Sequence, residues 1–206
     1  MIWKKKTVLD VGAGNGFFSF EFEKMGAEVT ALDVISQNER DDNRFGEGNM
    51  KNGPSHKGFT PGFIVAKEIL ESDVQYTTMN LYDLISQDGE GFDVVFCNDV
   101  LLHLTDPFRA LCAFRNVCRS LLVIGTPLYE PKSMKEKAGA YLLRRSSIAT
   151  FLGAGKNNAF WLPNERCFHD HIIGAGFRIK KTTVFKPEGK HAEYSGLRGV
   201  IAAVPQ

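Results

Sequence analysis

Short apolar runs alternate with helix-period stretches from the first residues of the chain. Val8-Leu9-Asp10-Val11 is a strand-like run ending in a glycine cluster. Phe17, Phe18, Phe20, Phe22 and Met25 then populate a helix that Gly26 stops. Glu28 to Asp33 reads as a second strand, so the opening is a βαβ unit, which predicts a parallel sheet with right-handed crossovers. Phe63 to Ser72 resumes a helix and Val74 to Thr78 a strand. Phe92 to Cys97 is a continuous apolar run of the buried-strand type. Asp106-Pro107 opens a helix running to about Val117, with a capping acid followed by proline at the first turn. Leu121 to Gly125 is the next strand. Asn164 caps a helix over Glu165 to Ile173, and Arg178 to Phe185 and Gly199 to Val204 are the last strands.

Two stretches break this rhythm. Gly46 to Gly62 holds five glycines and two prolines without periodicity, and Thr126 to Pro163 is irregular around a helix expected near Glu136 to Ser146. The whole chain, 1–206, reads as a single domain in which insertions at about 35–61 and 126–163 form a substrate lid.

Composition narrows the field. The chain has 206 residues, 43% of them apolar, enough for one core. Twenty-five Lys and Arg against 24 Asp and Glu leave a net charge of +1, which argues against a surface built to grip nucleic acid or anionic lipid. No run reaches the roughly 18 apolar residues of a membrane span. The N-terminus lacks the apolar stretch of a secretory signal. Cys97, Cys112, Cys118 and Cys167 form no CxxC pair and sit in apolar segments, so reduced buried thiols and a cytoplasmic setting are expected.

The chemistry concentrates in Asp10-Val11-Gly12-Ala13-Gly14-Asn15-Gly16, a D-x-G-x-G-x-G loop between a strand and a helix. Its glycines let a ligand approach the backbone closely. The dinucleotide fingerprint wants its third glycine at position 17, where this chain has Phe17, so a nicotinamide pyrophosphate fits poorly and an oxidoreductase is disfavoured. Asp33 closes the second strand, 17 residues after Gly16, where an acid takes both hydroxyls of a ribose. Asp10 adds a carboxylate for a ligand's positive group. S-adenosylmethionine (SAM), with a ribose, an ammonium and a sulfonium but no phosphate, suits both acids. The plainer alternative is a tight structural turn with Asp33 as a helix cap.

On these residues the chain resembles the class I SAM-dependent methyltransferases. That resemblance implies an α/β fold: a Rossmann-like, doubly wound, seven-stranded, mostly parallel sheet with helices on both faces and an antiparallel last strand. It also implies that Asp10, Gly12, Ala13, Gly14 and Gly16 hold the methionine part, Asp33 and Val34 the ribose, and Asn80, Leu81 and Tyr82 flank the adenine. Asn98 and Asp99 line the cofactor, Leu102 and His103 face the acceptor, and the products are a methylated acceptor and S-adenosylhomocysteine. More narrowly, Phe96 to Pro107, Asn158 to Asn164 and Arg198 to Ala202 resemble the branch containing the tRNA wobble-uridine carboxymethyltransferase. Arg198 matches a cation used there on a carboxylated cofactor. Leu102, Leu104 and Thr105 depart from that branch's tyrosine and arginines, so with one cation retained out of several ordinary SAM is the expected donor; that the chain begins only nine residues before Asp10 counts against the tRNA reading.

His103 is the candidate catalytic base, or a histidine packed within its own loop. His169 and His171 lie two apart and lack the i, i+4 spacing of a metal pair, so no metal is expected. Tyr129, Tyr141, Arg144, Arg145 and Trp161 lie in or beside the second insertion. Between Glu130 and Ser147 five basic residues face two acids, which reads as an anion site or a solvated helix face. Arg144, Trp161, Tyr129, Leu102 and Arg198 are the substrate-side candidates. Three functions follow: methylation of a small-molecule acceptor, a tRNA-modifying relative, or a non-catalytic SAM-binding module. The oligomeric state is not legible.

Overall fold

The computed structural model describes residues 3–34, 61–129, 146–152, 159–187 and 196–206. Its main element is a seven-stranded sheet built from β1 (Thr7–Val11), β2 (Glu28–Asp33), β3 (Gln75–Thr78), β4 (Phe92–Asn98), β5 (Cys118–Pro127), β8 (Phe177–Phe185) and β9 (Arg198–Pro205). The spatial order is β3-β2-β1-β4-β5-β9-β8. Strands β1 to β5 pair in parallel, whereas β9 runs antiparallel to both β5 and β8. A separate two-stranded antiparallel sheet joins β6 (Ala149–Phe151) to β7 (Trp161–Pro163).

Alternation along the central strands sorts the core into two layers. Leu9, Val11, Val95, Cys97, Leu122 and Ile124 point to one face, where they meet Phe114 of α3 (Pro107–Val117) and Phe168 and Ile172 of α4 (Glu165–Gly174). Val8, Val29, Ala31 and Val94 point to the other, against Phe22 of α1 (Phe17–Lys24) and Phe63 of α2 (Pro61–Ile69). Strands covered on both faces carry apolar residues at successive positions, which is why β1, β4 and β5 read as continuous runs. Phe114, Phe168 and Phe177 are buried to 1% exposure or less, and each contributes roughly 1.5–3 kcal/mol by leaving water.

The two expected caps hold. Asp106 accepts from Arg109 N at 2.9 Å with Pro107 at the first turn, and Asn164 accepts from Cys167 N at 2.8 Å. Four local expectations change. The second helix starts at Pro61 and ends at Ile69. Residues Leu81–Ser86 form a 3-10 helix, opened by Asn80. β5 extends to Pro127, and the stretch expected to be irregular up to Pro163 contains the β6–β7 hairpin. The helix expected near 136–146 and the glycine-rich stretch 46–60 lie outside the described residues. All four cysteines are unpaired, and three of them are buried. Among the described residues no helix is long and apolar enough to cross a membrane.

Candidate functional site

The chain passes from β1 outward to β2 on one side and from β4 outward to β5 on the other, so the sheet changes direction between β1 and β4. A crevice opens there, at the carboxyl ends of the strands. Val11 pairs with Cys97, which sets Gly12 and Asn98 side by side on the rim. Packing dictates two of the loop's glycines. A Cβ at Gly12 (φ +73°) would lie 2.4 Å from Val100, and one at Gly16 (φ +85°) would lie 2.6 Å from the rings of Phe20 and Phe63. Gly14 (φ +55°) is different, because among the described residues a Cβ there would meet nothing within 4 Å. None of these residues walls in the middle of the loop.

Backbone hydrogen bonds fasten this loop to the second strand. Gly12 N and Ala13 N both donate to Leu32 O, at 2.8 and 3.2 Å. Gly14 N donates to Asp33 Oδ2 at 2.9 Å and Val34 N to Asp33 Oδ1 at 2.8 Å. Each Asp33 oxygen accepts one backbone N–H, and a carboxylate offers about four acceptor sites in all, so capacity for two hydroxyls remains. An adenosine fits this cradle on two counts: among the described residues none crowds Gly14, and an acceptor-rich carboxylate stands beside it.

Asp10 serves differently from expectation. It is 2% exposed, enclosed between β1 and α1, and accepts from Ser19 Oγ at 2.6 Å. Burial, aided by the nearby Asp33 charge and opposed by the Ser19 hydrogen bond, pushes its pKa up to about 6. Its carboxylate fixes α1 against the loop instead of standing in the crevice.

Beyond β3, Asn80 Oδ1 accepts from Tyr82 N at 3.0 Å and starts the 3-10 helix. Leu81 and Tyr82 turn inward: Tyr82 is 9% exposed, accepts from Asp106 N at 3.1 Å, and carries the Arg109 guanidinium 5.2 Å from its ring centre. Tyr82 thus braces the start of α3, and Asn80 is the member of this group left at the rim. After β4, Asp99 adopts φ +59°, uncommon for a residue with a side chain, and its N–H donates to Gly125 O at 3.0 Å. Its carboxylate accepts from Asn98 Nδ2 at 3.1 Å and from Arg198 Nη1 at 2.6 and 2.5 Å. Arg198, expected on the acceptor side, is therefore committed to Asp99 across the sheet.

His103 ends a 3-10 turn (Leu101–His103), half-buried, its N–H donating to Val100 O at 2.9 Å. Leu102 is buried, and its carbonyl accepts from Phe160 N at 2.7 Å, which ties the turn to the hairpin. Trp161 Nε1 donates to Thr105 O at 3.3 Å and its ring lies 5.0 Å from that of Phe151. Tyr129 N donates to Pro163 O at 2.8 Å. The fourth-strand turn and the second insertion are thereby brought together. Arg144, with Tyr141 and Arg145, lies outside the described residues. His169 pairs with Thr182 at 3.0 Å, while His171 rests against Cys167 and Phe108. Among the described residues no three His, Cys, Asp or Glu side chains converge in a metal-binding group.

Sequence reasoning overlooks a cavity of about 260 Å³ behind this turn, lined by Leu101, Leu102, Thr126, Trp161, Phe108 and His171 among others. The available signal is Thr126, a polar residue extending the apolar row of β5.

Comparison with known proteins agrees with the crevice. The model of a methyltransferase domain matches residues 9–121, more than half of the chain. A ubiquinone biosynthesis O-methyltransferase from Xanthomonas campestris pv. campestris is 30% identical over 124 residues, 59% of this chain and 41% of that one. The chain spans less than half the length of the curated relatives it matches. Among solved structures, a Burkholderia thailandensis 1,6-didemethyltoxoflavin-N1-methyltransferase with bound 1,6-didemethyltoxoflavin and S-adenosylhomocysteine has a TM-score of 0.66 at 15% identity, covering all of this chain and 73% of that one. The magnesium protoporphyrin IX methyltransferase of Synechocystis PCC 6803, with bound S-adenosylhomocysteine, has a TM-score of 0.60 at 19% identity, covering 99% and 76%. Both structures share the fold of this chain. With the family model matched across the glycine loop, Asp33 and β4, this chain belongs to the class I SAM-dependent methyltransferases.

Proposed function

We propose that the protein transfers the methyl group of SAM to a small-molecule acceptor. The observation that carries this reading is the Asp33 clamp. One carboxylate fastens the glycine loop through Gly14 N and keeps acceptor capacity for a ribose at the point where the sheet changes direction. When bound, SAM supplies an electrophilic methyl on a sulfonium whose leaving group is a neutral thioether.

The chain's own residues then have positioning to do. Gly12, Ala13 and Gly14 let the ligand lie against the backbone, Asp33 and Val34 hold its ribose end, and Asn80 stands at its base end. Asn98 and Asp99 form the rim of β4, and Arg198 neutralises Asp99. His103, half-buried at the end of the following turn, serves in this reading as the base that takes a proton from an oxygen or nitrogen nucleophile. Alignment of this kind supplies much of the rate in such displacements. The β6–β7 hairpin, bonded to the turn through Phe160 and Trp161, belongs to the acceptor lid, together with the insertion at about 35–61, in a single domain over 1–206. A small acceptor is supported by the relatives: an O-methyltransferase of ubiquinone biosynthesis, a magnesium protoporphyrin IX methyltransferase and a 1,6-didemethyltoxoflavin-N1-methyltransferase. Ordinary SAM is supported over a carboxylated donor because Asp99 occupies the Arg198 guanidinium. We place the activity in the cytoplasm.

Titration calorimetry with S-adenosylhomocysteine tests the reading. Asp33→Ala removes both ribose acceptors and an anchor of the loop. Charged hydrogen bonds of this kind contribute about 1.5–3 kcal/mol each, so affinity is expected to fall by about 10- to 100-fold or more. Unchanged affinity, or no binding by the wild type, would sink it. A filter assay with total tRNA separates the wobble-modifying alternative, which requires binding that weakens steeply with salt.

A further inference from the structure

Thr126 is 1% exposed, and among the described residues nothing donates to or accepts from its Oγ1. Alternation along β5 explains where it points. Leu122 and Ile124 belong to the core layer of α3 and α4, and Thr126 continues their row. Buried hydroxyls without a partner are rare in folded proteins, and each calls for an explanation.

This one lines the cavity of about 260 Å³, whose walls include the aromatic rings of Phe108, Trp161 and Phe168. His171 is the second polar side chain suited to a neutral ligand. Burial holds its imidazole below the usual histidine range, so it is uncharged at neutral pH, and its ring centre lies 5.9 Å from that of Phe108. Among the described residues the lining has no lysine or arginine, and its one carboxylate, Asp106, is occupied in capping α3 through Arg109 N. An ionic ligand would find no counter-charge among these residues. Two of the segments that wall the cavity continue directly from the rim of the crevice. Leu101 and Leu102 belong to the turn that follows Asp99, and Thr126 follows Gly125, whose carbonyl accepts from Asp99 N.

We infer that this cavity holds the body of the acceptor, an uncharged aromatic molecule carrying a hydroxyl that bonds to Thr126 Oγ1. The inference rests on the methyltransferase reading and adds the substrate class and the residue that selects it. Aromatic rings prefer such walls for the area they bury and for ring-to-ring contact. A site built to bond a hydroxyl also discriminates strongly against the analogue that lacks it, because its own buried polar group is then left unpaired.

Binding of 2-naphthol and of naphthalene, measured by calorimetry on the full chain with S-adenosylhomocysteine saturating, tests this. Wild-type protein is expected to bind 2-naphthol saturably and naphthalene about 10-fold more weakly. Thr126→Val, which keeps the shape and deletes the hydroxyl, should weaken 2-naphthol about 10-fold and leave naphthalene unchanged. The same substitution should raise the Tm of the ligand-free protein, which also shows that the variant folds. Trp161→Ala should weaken both ligands. Equal affinity for the two, no saturable binding of either, or indifference of 2-naphthol to Thr126→Val would overturn the inference. If S-adenosylhomocysteine still binds in those cases, the methyltransferase reading survives them. Saturable, Thr126-dependent 2-naphthol binding by a protein that binds no S-adenosylhomocysteine would support the cavity as an aromatic site and overturn its assignment to a methyl acceptor.

Discussion

Replacing Asp10 by asparagine should change the pH dependence of stability in a way that one buried carboxylate dictates. Asp10 titrates at about 6 in the folded protein against an ordinary 3.8, chiefly because burial disfavours its charge. At about 1.36 kcal/mol per pH unit, that difference of roughly two units corresponds to about 3 kcal/mol. The sign follows from proton counting. Between about pH 4 and 6 the folded state holds a proton that the unfolded chain has released, so this group's contribution makes stability fall as pH rises through that window. Above about pH 7 the charge is present in both states and the full penalty remains; below about pH 4 it is absent. The amide of Asp10→Asn would still offer an oxygen to Ser19 Oγ, which bonds the native carboxylate at 2.6 Å, but carries no charge at any pH. Urea unfolding of both proteins, followed by circular dichroism at several values from about pH 4 to about pH 7.5 without ligand, isolates the term, because all other titrating groups cancel in the difference. The variant should gain on the wild type by about 3 kcal/mol across the window and hold a constant lead above it. Curves that stay parallel to within about 0.5 kcal/mol would refute the claim that burial raises this carboxyl.

Two glycines should separate folding from binding. Gly16→Ala forces a Cβ to within 2.6 Å of two phenylalanine rings at φ +85°, and should cost about 2–4 kcal/mol, lowering Tm by roughly 5–15 °C. Gly14→Ala meets no atom of the described residues, so it should lose only the backbone term of about 1–2 kcal/mol while weakening S-adenosylhomocysteine in calorimetry; equal thermal losses would contradict the packing argument. Arg198→Met leaves the Asp99 carboxylate, one-third exposed, without its cation, and should lower stability by about 1–2 kcal/mol in urea unfolding. That deficit should shrink at molar salt, and a loss independent of salt would point to packing instead.

What can be read in advance is what is local in sequence. The strand, glycine loop and helix from Val8 to Met25 declare themselves through adjacent residues, as do the caps at Asp106 and Asn164, whose side chains bond backbone three residues away. The β6–β7 hairpin escapes because each strand has only three residues, too few for an alternating pattern to show, and Phe151 pairs with Trp161 across nine intervening residues, longer than a tight hairpin turn. Tyr82 is expected beside the adenine, yet its hydroxyl reaches Asp106, 24 positions on. The Asp99–Arg198 pair joins residues 99 positions apart, and no periodicity encodes it. The antiparallel end of the sheet comes from family resemblance alone. Asp10 and Asp33 look equivalent as strand-end acids, and only three-dimensional burial separates the one that braces a helix from the one that faces the crevice.

The insertion of β9 between β5 and β8 sets an order on synthesis. Until residues 198–205 leave the ribosome, β5 keeps one unpaired edge and β8 has no neighbour in the sheet, so a nascent chain carries open strand edges of the kind that invite misassociation. Arg198 is the first residue of that late strand, and so the cation that quiets Asp99 arrives only as the sheet is completed. Sheet closure and the final charge arrangement of the crevice are therefore a single late event.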